Sequence, residues 1–106
     1  MYFAEICFKK FGDRVKYWVT INEPGLFVNR ACIWGTYPPG QCSKPFGNCS
    51  FGNSDIETLI AMHNVLLSHS MAVHLYRKHF QVIFSGQHFK VILWATRFFL
   101  IIIIIT

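Results

Sequence analysis

Apolar residues recur at helical spacing from the start of the chain, with Phe3, Cys7 and Phe11 on one stripe, and Gly12 follows as a residue that commonly ends a helix. The pattern predicts a helix over Tyr2 to Phe11. After a tight Gly12-Asp13 turn the period changes. Val15 to Ile21 is rich in β-branched and aromatic residues and the segment is stopped by Pro24, which predicts a buried strand. From Gly25 to Asn53 periodicity gives way to Gly, Pro, Asn, Ser and Cys, the chemistry of a loop, and a loop this long is usually functional. Helical spacing resumes at Ser54, where Ser54 and Glu57 stand as a capping box and Asp55 adds favourable negative charge. From there it continues for roughly 25 residues, to about Phe80. Helix, strand, long loop, helix is an α/β order of elements.

The 106 residues carry a formal charge of +5. Lys9, Lys10, Arg77 and Lys78 fall in the last turns of the two helices, where cations oppose the helix dipole, and no basic stripe interleaves with aromatics. The charge therefore argues against nucleic acid as a partner. Metal binding is disfavoured as well: four Cys and five His are present, but no C-x2-C pair or H-E-x-x-H occurs. His63, His69, His74 and His79 are spaced so that successive rings point to different faces of a helix. No metal and no cofactor is expected.

The chemistry concentrates where the strand ends. Asn22, Glu23 and Pro24 close the run VKYWVTINEP, and a carboxylate at the C-terminal end of a strand is where barrel enzymes keep catalytic groups. The segment FKKFGDRVKYW leads into it, GTYPPGQCS and FGNCS follow it, and HNVLLSHSMAVHLYRKHF comes further on. Together these closely resemble the acid/base region of glycoside hydrolase family 1, specifically its plant β-glucosidases, from about Tyr2 to Gln81. Thr20, Asn22, Glu23 and Pro24 all match the family's T-x-N-E-P motif. Gly25 departs from the bulky residue expected after it.

The resemblance implies that Glu23 is the general acid/base of a retaining β-glucosidase and that Asn22 contacts the sugar 2-hydroxyl. It implies a (β/α)8 TIM barrel, which typically needs about 250 residues. The chain is therefore expected to be a fragment of one, about one βα step with a preceding helix. Retention also needs a second carboxylate about 5 Å away as nucleophile. The family carries it in a T-E-N-G motif that is absent from these residues. The remaining acids, Glu5, Asp13, Asp55 and Glu57, are accounted for by helix ends or a turn. The fragment alone is expected to be inactive, and a β-glucoside is the expected substrate of the complete enzyme.

Plainer readings stand beside these. An arbitrary strand-end Glu is usually a solvated carboxylate, and it is the surrounding match that reverses that preference for Glu23. Asn at a strand end commonly caps a turn through nearby backbone. Trp18, in mid-strand, reads as packing, whereas Trp34, in the loop, stays open as a further sugar-contacting aromatic. Strand alternation sends Asn22 and Glu23 to opposite faces, although the resemblance needs both at the sugar. Pro24 restricts Glu23 to an extended conformation, and a twist or bulge at the strand end is left open.

The resemblance also implies a disulfide between Cys42 and Cys49, hence an oxidising compartment, and a secreted or vacuolar location. Cys7 reads as a buried thiol on the first helix, and Cys32 has no evident partner. Asn48-Cys49-Ser50 matches a glycosylation sequon that a bridged Cys49 would crowd. No basic region followed by an apolar one marks a signal peptide near Met1.

Two domains are expected: a barrel segment over 1–81 and a divergent apolar tail over 82–106, read as intron-derived or as a gene-model artefact. In that tail Arg97 leaves only Phe98 to Ile105 uninterrupted, short of the roughly 20 apolar residues of a membrane span. An edge strand would leave an aggregation-prone run exposed. The competing functional readings are a small secreted disulfide-containing binding module and a tail-anchored interaction protein.

Overall fold

The computed structural model describes residues 2–15, 17–81 and 83. Three α-helices follow in order: α1 (Tyr2–Phe11), α2 (Pro24–Val28) and α3 (Ser54–His79), with a π-helical turn over Asn29–Ile33 continuing directly from α2. Expectations for the 82–106 tail fall outside the described residues, Ile83 apart.

Helix α1 has the predicted limits, but not the predicted face. Phe3 is 80% exposed and Phe11 is exposed, while Phe8 is buried and Cys7 is only half-buried. The reason is where α1 meets α3. Phe8 inserts edge-on between Trp18, with ring centroids 5.1 Å apart, and Tyr76, at 5.2 Å, and lies 5.5 Å from Phe80. Edge-to-face aromatic pairs at this spacing add to the stabilisation from area burial. Ala4, Trp18 and Leu75 complete this cluster, so Trp18 packs as expected. The helix ends in backbone bonds from Gly12 N–H to Phe8 O and from Val15 N–H to Phe11 O.

Among the described residues of Val15 to Ile21 no strand forms. Trp18 and Asn22 each make a single bridge pairing, and the chain bends at Thr20 and Ile21. The sequence has strand character, but a strand needs neighbours for its N–H and C=O groups, and a lone parallel strand has none. The expected βα step is thus a mostly helical piece, without a barrel. The predicted loop also starts too early. Pro24 is ideal for a first helical turn, and helical geometry runs from it through Ile33 before the irregular segment begins.

Helix α3 starts where expected but is capped differently. Asn53, one residue before Ser54, is the cap: its side-chain oxygen accepts from the Asp55 and Ile56 N–H groups, both at 3.1 Å. Glu57 Oε2 reaches back to the Asn53 N–H at 3.1 Å, which completes the reciprocal pair one position earlier than the S-x-x-E reading. Ser54 is freed for another use. It is buried, its hydroxyl donates to Ile33 O, and it accepts from Ser43 N–H, so it binds the loop and the π turn to the helix. A second buried group, Val28, Ala31, Cys32 and Cys42, lies on this side of the fold, where α2 and the π turn pack on α3.

Large apolar side chains remain in solvent on α3 as well as α1, among them Ile56, Leu59 and Ile60. Among the described residues no helix is long and apolar enough to cross a membrane.

Candidate active site

The candidate site sits at the bend leading into α2. Glu23 is the residue before the helix, and its carbonyl accepts the first helical bonds, from Leu26 N–H at 3.0 Å and Phe27 N–H at 3.3 Å. Its backbone is left-handed, with φ 45° and ψ 56°. This departs from the extended conformation expected of a residue preceding proline. The compact helix that begins at Pro24 requires the chain to reverse at Glu23, and Pro24 itself is buried. Strand alternation therefore does not extend through Glu23 and no longer dictates which face its side chain takes relative to Asn22. The Glu23 carboxylate makes no capping bond to α2. Asn22, beside it, is exposed.

Upstream, Thr20 is anchored by His69 on α3. Thr20 Oγ1 lies 2.6 Å from His69 Nδ1. His69 is 4% exposed, and burial pushes its imidazole pKa down, favouring the neutral ring. The signal for it was available, because His69, Ala72 or Val73, Tyr76 and Phe80 recur at helical spacing and all are buried. A histidine in such a stripe is a core residue seeking a partner.

Downstream, Trp34 ends the π turn, with its N–H donating to Asn29 O at 3.0 Å and its ring about half exposed. The following segment folds back on Arg30, whose carbonyl accepts from Thr36 N–H at 2.7 Å and Tyr37 N–H at 3.1 Å and whose guanidinium lies over the Tyr37 ring. Cys42 and Cys49 form a disulfide, with Cα atoms 5.2 Å apart. Gly35 and Gly47 lie against it so closely that a Cβ at either would collide with sulfur. Cys32 is buried and unbridged, and burial, with Glu57 adding to it, pushes its thiol pKa up.

An apolar cleft of about 130 Å³ opens between α1, the Trp18 to Thr20 segment and α3, lined by Phe3, Cys7, Phe8 and Ala72 among others. It holds none of Asn22, Glu23 or Trp34.

The sequence pattern described as Glycosyl hydrolase family 1 matches residues 1–94. The chain belongs to that family. Its relatives in the family include Beta-glucosidase 47 of Arabidopsis thaliana, 58% identical over 86 residues, a match covering 81% of this chain and 16% of that protein. Coniferin beta-glucosidase of Pinus contorta is 51% identical over 88 residues, covering 80% and 17%. A third, named Probable inactive beta-glucosidase 14, from Oryza sativa subsp. japonica, is 52% identical over 86 residues, covering 81% and 17%. The crystal structure of the rice Os3BGlu6 Beta-Glucosidase superposes with a TM-score of 0.75 at 35% identity, over 87% of this chain and 19% of that one. A mutant of the same rice enzyme, in a covalent complex with Glc, superposes equally well. The chain is thus a segment of family 1 similar to plant β-glucosidases, spanning less than a fifth of the length of these relatives. Its helices occupy the positions of one part of a (β/α)8 barrel.

Proposed function

We propose that this segment supplies the acid/base half of a retaining β-glucosidase site. Glu23 protonates the glycosidic oxygen of the leaving group and then, as carboxylate, activates the water that releases the sugar. Asn22 contacts the sugar, and Trp34 offers a further aromatic face for it. The chemistry demands such a group, because an alkoxide is too basic to leave unprotonated at neutral pH. The observation that carries the reading is the N-E-P turn, where a Glu within the family-matched residues stands immediately before the helix that Pro24 opens. The covalent Glc complex of the rice relative supports a covalent step of the retaining kind.

The nucleophile of that step has no counterpart motif in these 106 residues, so the chain by itself is expected to be inactive. The exposed apolar side chains of α1 and α3 fit a segment whose packing partners are the other elements of a barrel. Close likeness in this segment does not secure activity, since one 52% identical relative is named probable inactive. The disulfide supports an oxidising compartment, hence secretion or the vacuole. The divergent character assigned to residues 82–106 remains part of this proposal.

The test places residues 2–81 in register into the complete barrel of a related β-glucosidase. Glu23→Gln in that chimera should lower turnover on alkyl glucosides by about a hundredfold or more and spare substrates with good leaving groups. Azide should restore the second step by replacing base-activated water. A Glu23→Gln chimera fully active on unactivated glucosides would overturn the assignment.

A further inference from the structure

We infer that His69 is a positioning residue for Glu23, acting through the hydrogen bond between its Nδ1 and Thr20 Oγ1. The inference rests on the acid/base reading of Glu23 above. It starts from the backbone of Glu23, which is left-handed although the residue carries a Cβ. Such a conformation is intrinsically unfavourable and persists only where the surrounding structure determines it. Two attachments frame the turn, and both lead to α3. After Glu23, Pro24 is buried and α2 packs on α3. Before it, Thr20 meets His69 at 2.6 Å.

The Thr20 attachment is directional in a way that apolar packing is not. His69 is 4% exposed and stands on the same face as Ala72, Val73 and Tyr76, so losing its partner would leave a polar ring atom in an apolar setting. The bond fixes the Thr20 rotamer and with it the path of the chain three residues before the carboxylate. A general acid must lie within hydrogen-bond reach of the oxygen it protonates, and a misplacement of about 1 Å can lower the rate by about a hundredfold. Burial also lowers the imidazole pKa and so favours the neutral ring, which fits a role through geometry and not through charge.

The experiment uses the same chimera and a series of aryl and alkyl β-glucosides of graded leaving-group pKa. His69→Leu keeps the volume and removes the hydrogen bond. It should lower kcat/KM by about tenfold to a hundredfold for basic leaving groups and little for dinitrophenolate, steepening the dependence on leaving-group pKa. The inhibition constant for a sugar competitor should be unchanged. His69→Asn, whose amide lies where Nδ1 was, should recover most of the loss. Thr20→Val should repeat the steepening and serves if His69→Leu fails to fold. Glu23→Gln is measured alongside. A steeper slope for Glu23→Gln with unchanged slopes for both His69→Leu and Thr20→Val overturns the positioning role and leaves Glu23 in place. Unchanged slopes for all three overturn both readings.

Discussion

Ser43 and Ser54 hydrogen-bond to each other in both directions. Ser43 N–H donates to Ser54 Oγ at 2.8 Å and Ser54 N–H donates to Ser43 Oγ at 3.0 Å, while the Ser54 hydroxyl donates to Ile33 O at 3.2 Å. One buried side chain therefore joins the disulfide loop, the π turn and the start of α3. Ser54→Ala should strip partners from Ser43 N–H and Ile33 O and destabilise a complete barrel carrying this segment by about 1–3 kcal/mol. Asn53→Ala, which removes the actual cap, should cost about 1 kcal/mol. Denaturant titration of the two variants checks the order. If Asn53→Ala were clearly the more harmful, Ser54 would not be the joint.

The disulfide loop offers a chemical test. Digestion without reduction should find Cys42 and Cys49 on linked peptides. Gly47→Ala should sharply reduce that linked fraction, because its Cβ would occupy the position of Cys42 sulfur and meet Trp34 O at 3.1 Å. The free thiols should differ under native alkylation. Cys7 is half-buried, whereas Cys32 is buried with its thiol pKa pushed up, so Cys7 should be labelled first. Faster labelling of Cys32 would mean that the π turn does not pack on α3.

The sequence showed most clearly the features that rest on local chemistry. The limits of α1 follow from Gly12 and the 3.6-residue period, and the long reach of α3 from its spacing and its acidic first turn. The Cys pair came from family resemblance. What escaped depended on neighbours. Phe8 outranks Phe3 because α3 presents Tyr76 and Phe80 on that side, which no property of α1 reveals. The strand character of Val15 to Ile21 is real in the sequence, yet pairing requires partners that this segment does not contain. Glu23 shows a conflict of local rules: the residue before a proline prefers an extended backbone, and a helix starting at that proline required a reversal instead.

His69 makes the segment sensitive to pH in a definite direction. Its ordinary pKa is 6.5, and burial lowers it in the folded protein. As pH falls below 6.5 the unfolded chain takes up a proton that the folded one resists, so the unfolded state holds more protons and stability declines with acidity. The contribution is fully present above 6.5 and is lost as pH falls towards the folded pKa. A barrel carrying His69→Asn, which cannot titrate, should lose less stability than its parent from pH 7 downward. Parallel pH profiles for the two would show that His69 is solvated.

Glu23 should reveal a conflict between stability and activity. Its left-handed backbone, φ 45°, disfavours any residue with a Cβ, and that penalty of roughly 1–2 kcal/mol belongs to the position and not to the carboxylate. Glu23→Ala and Glu23→Gly both delete the carboxyl group, so comparing them isolates the backbone. Glycine adopts φ > 0 without strain but loses more entropy on folding, by roughly 0.5–1 kcal/mol. The difference leaves Glu23→Gly more stable than Glu23→Ala by up to about 1.5 kcal/mol, the reverse of the order in an ordinary helix. Thermal melting of the two chimeras decides it, with both expected to be inactive on alkyl glucosides. Should the alanine variant melt higher, Glu23 would not be left-handed in the complete barrel, and the turn that holds it would have a different geometry there.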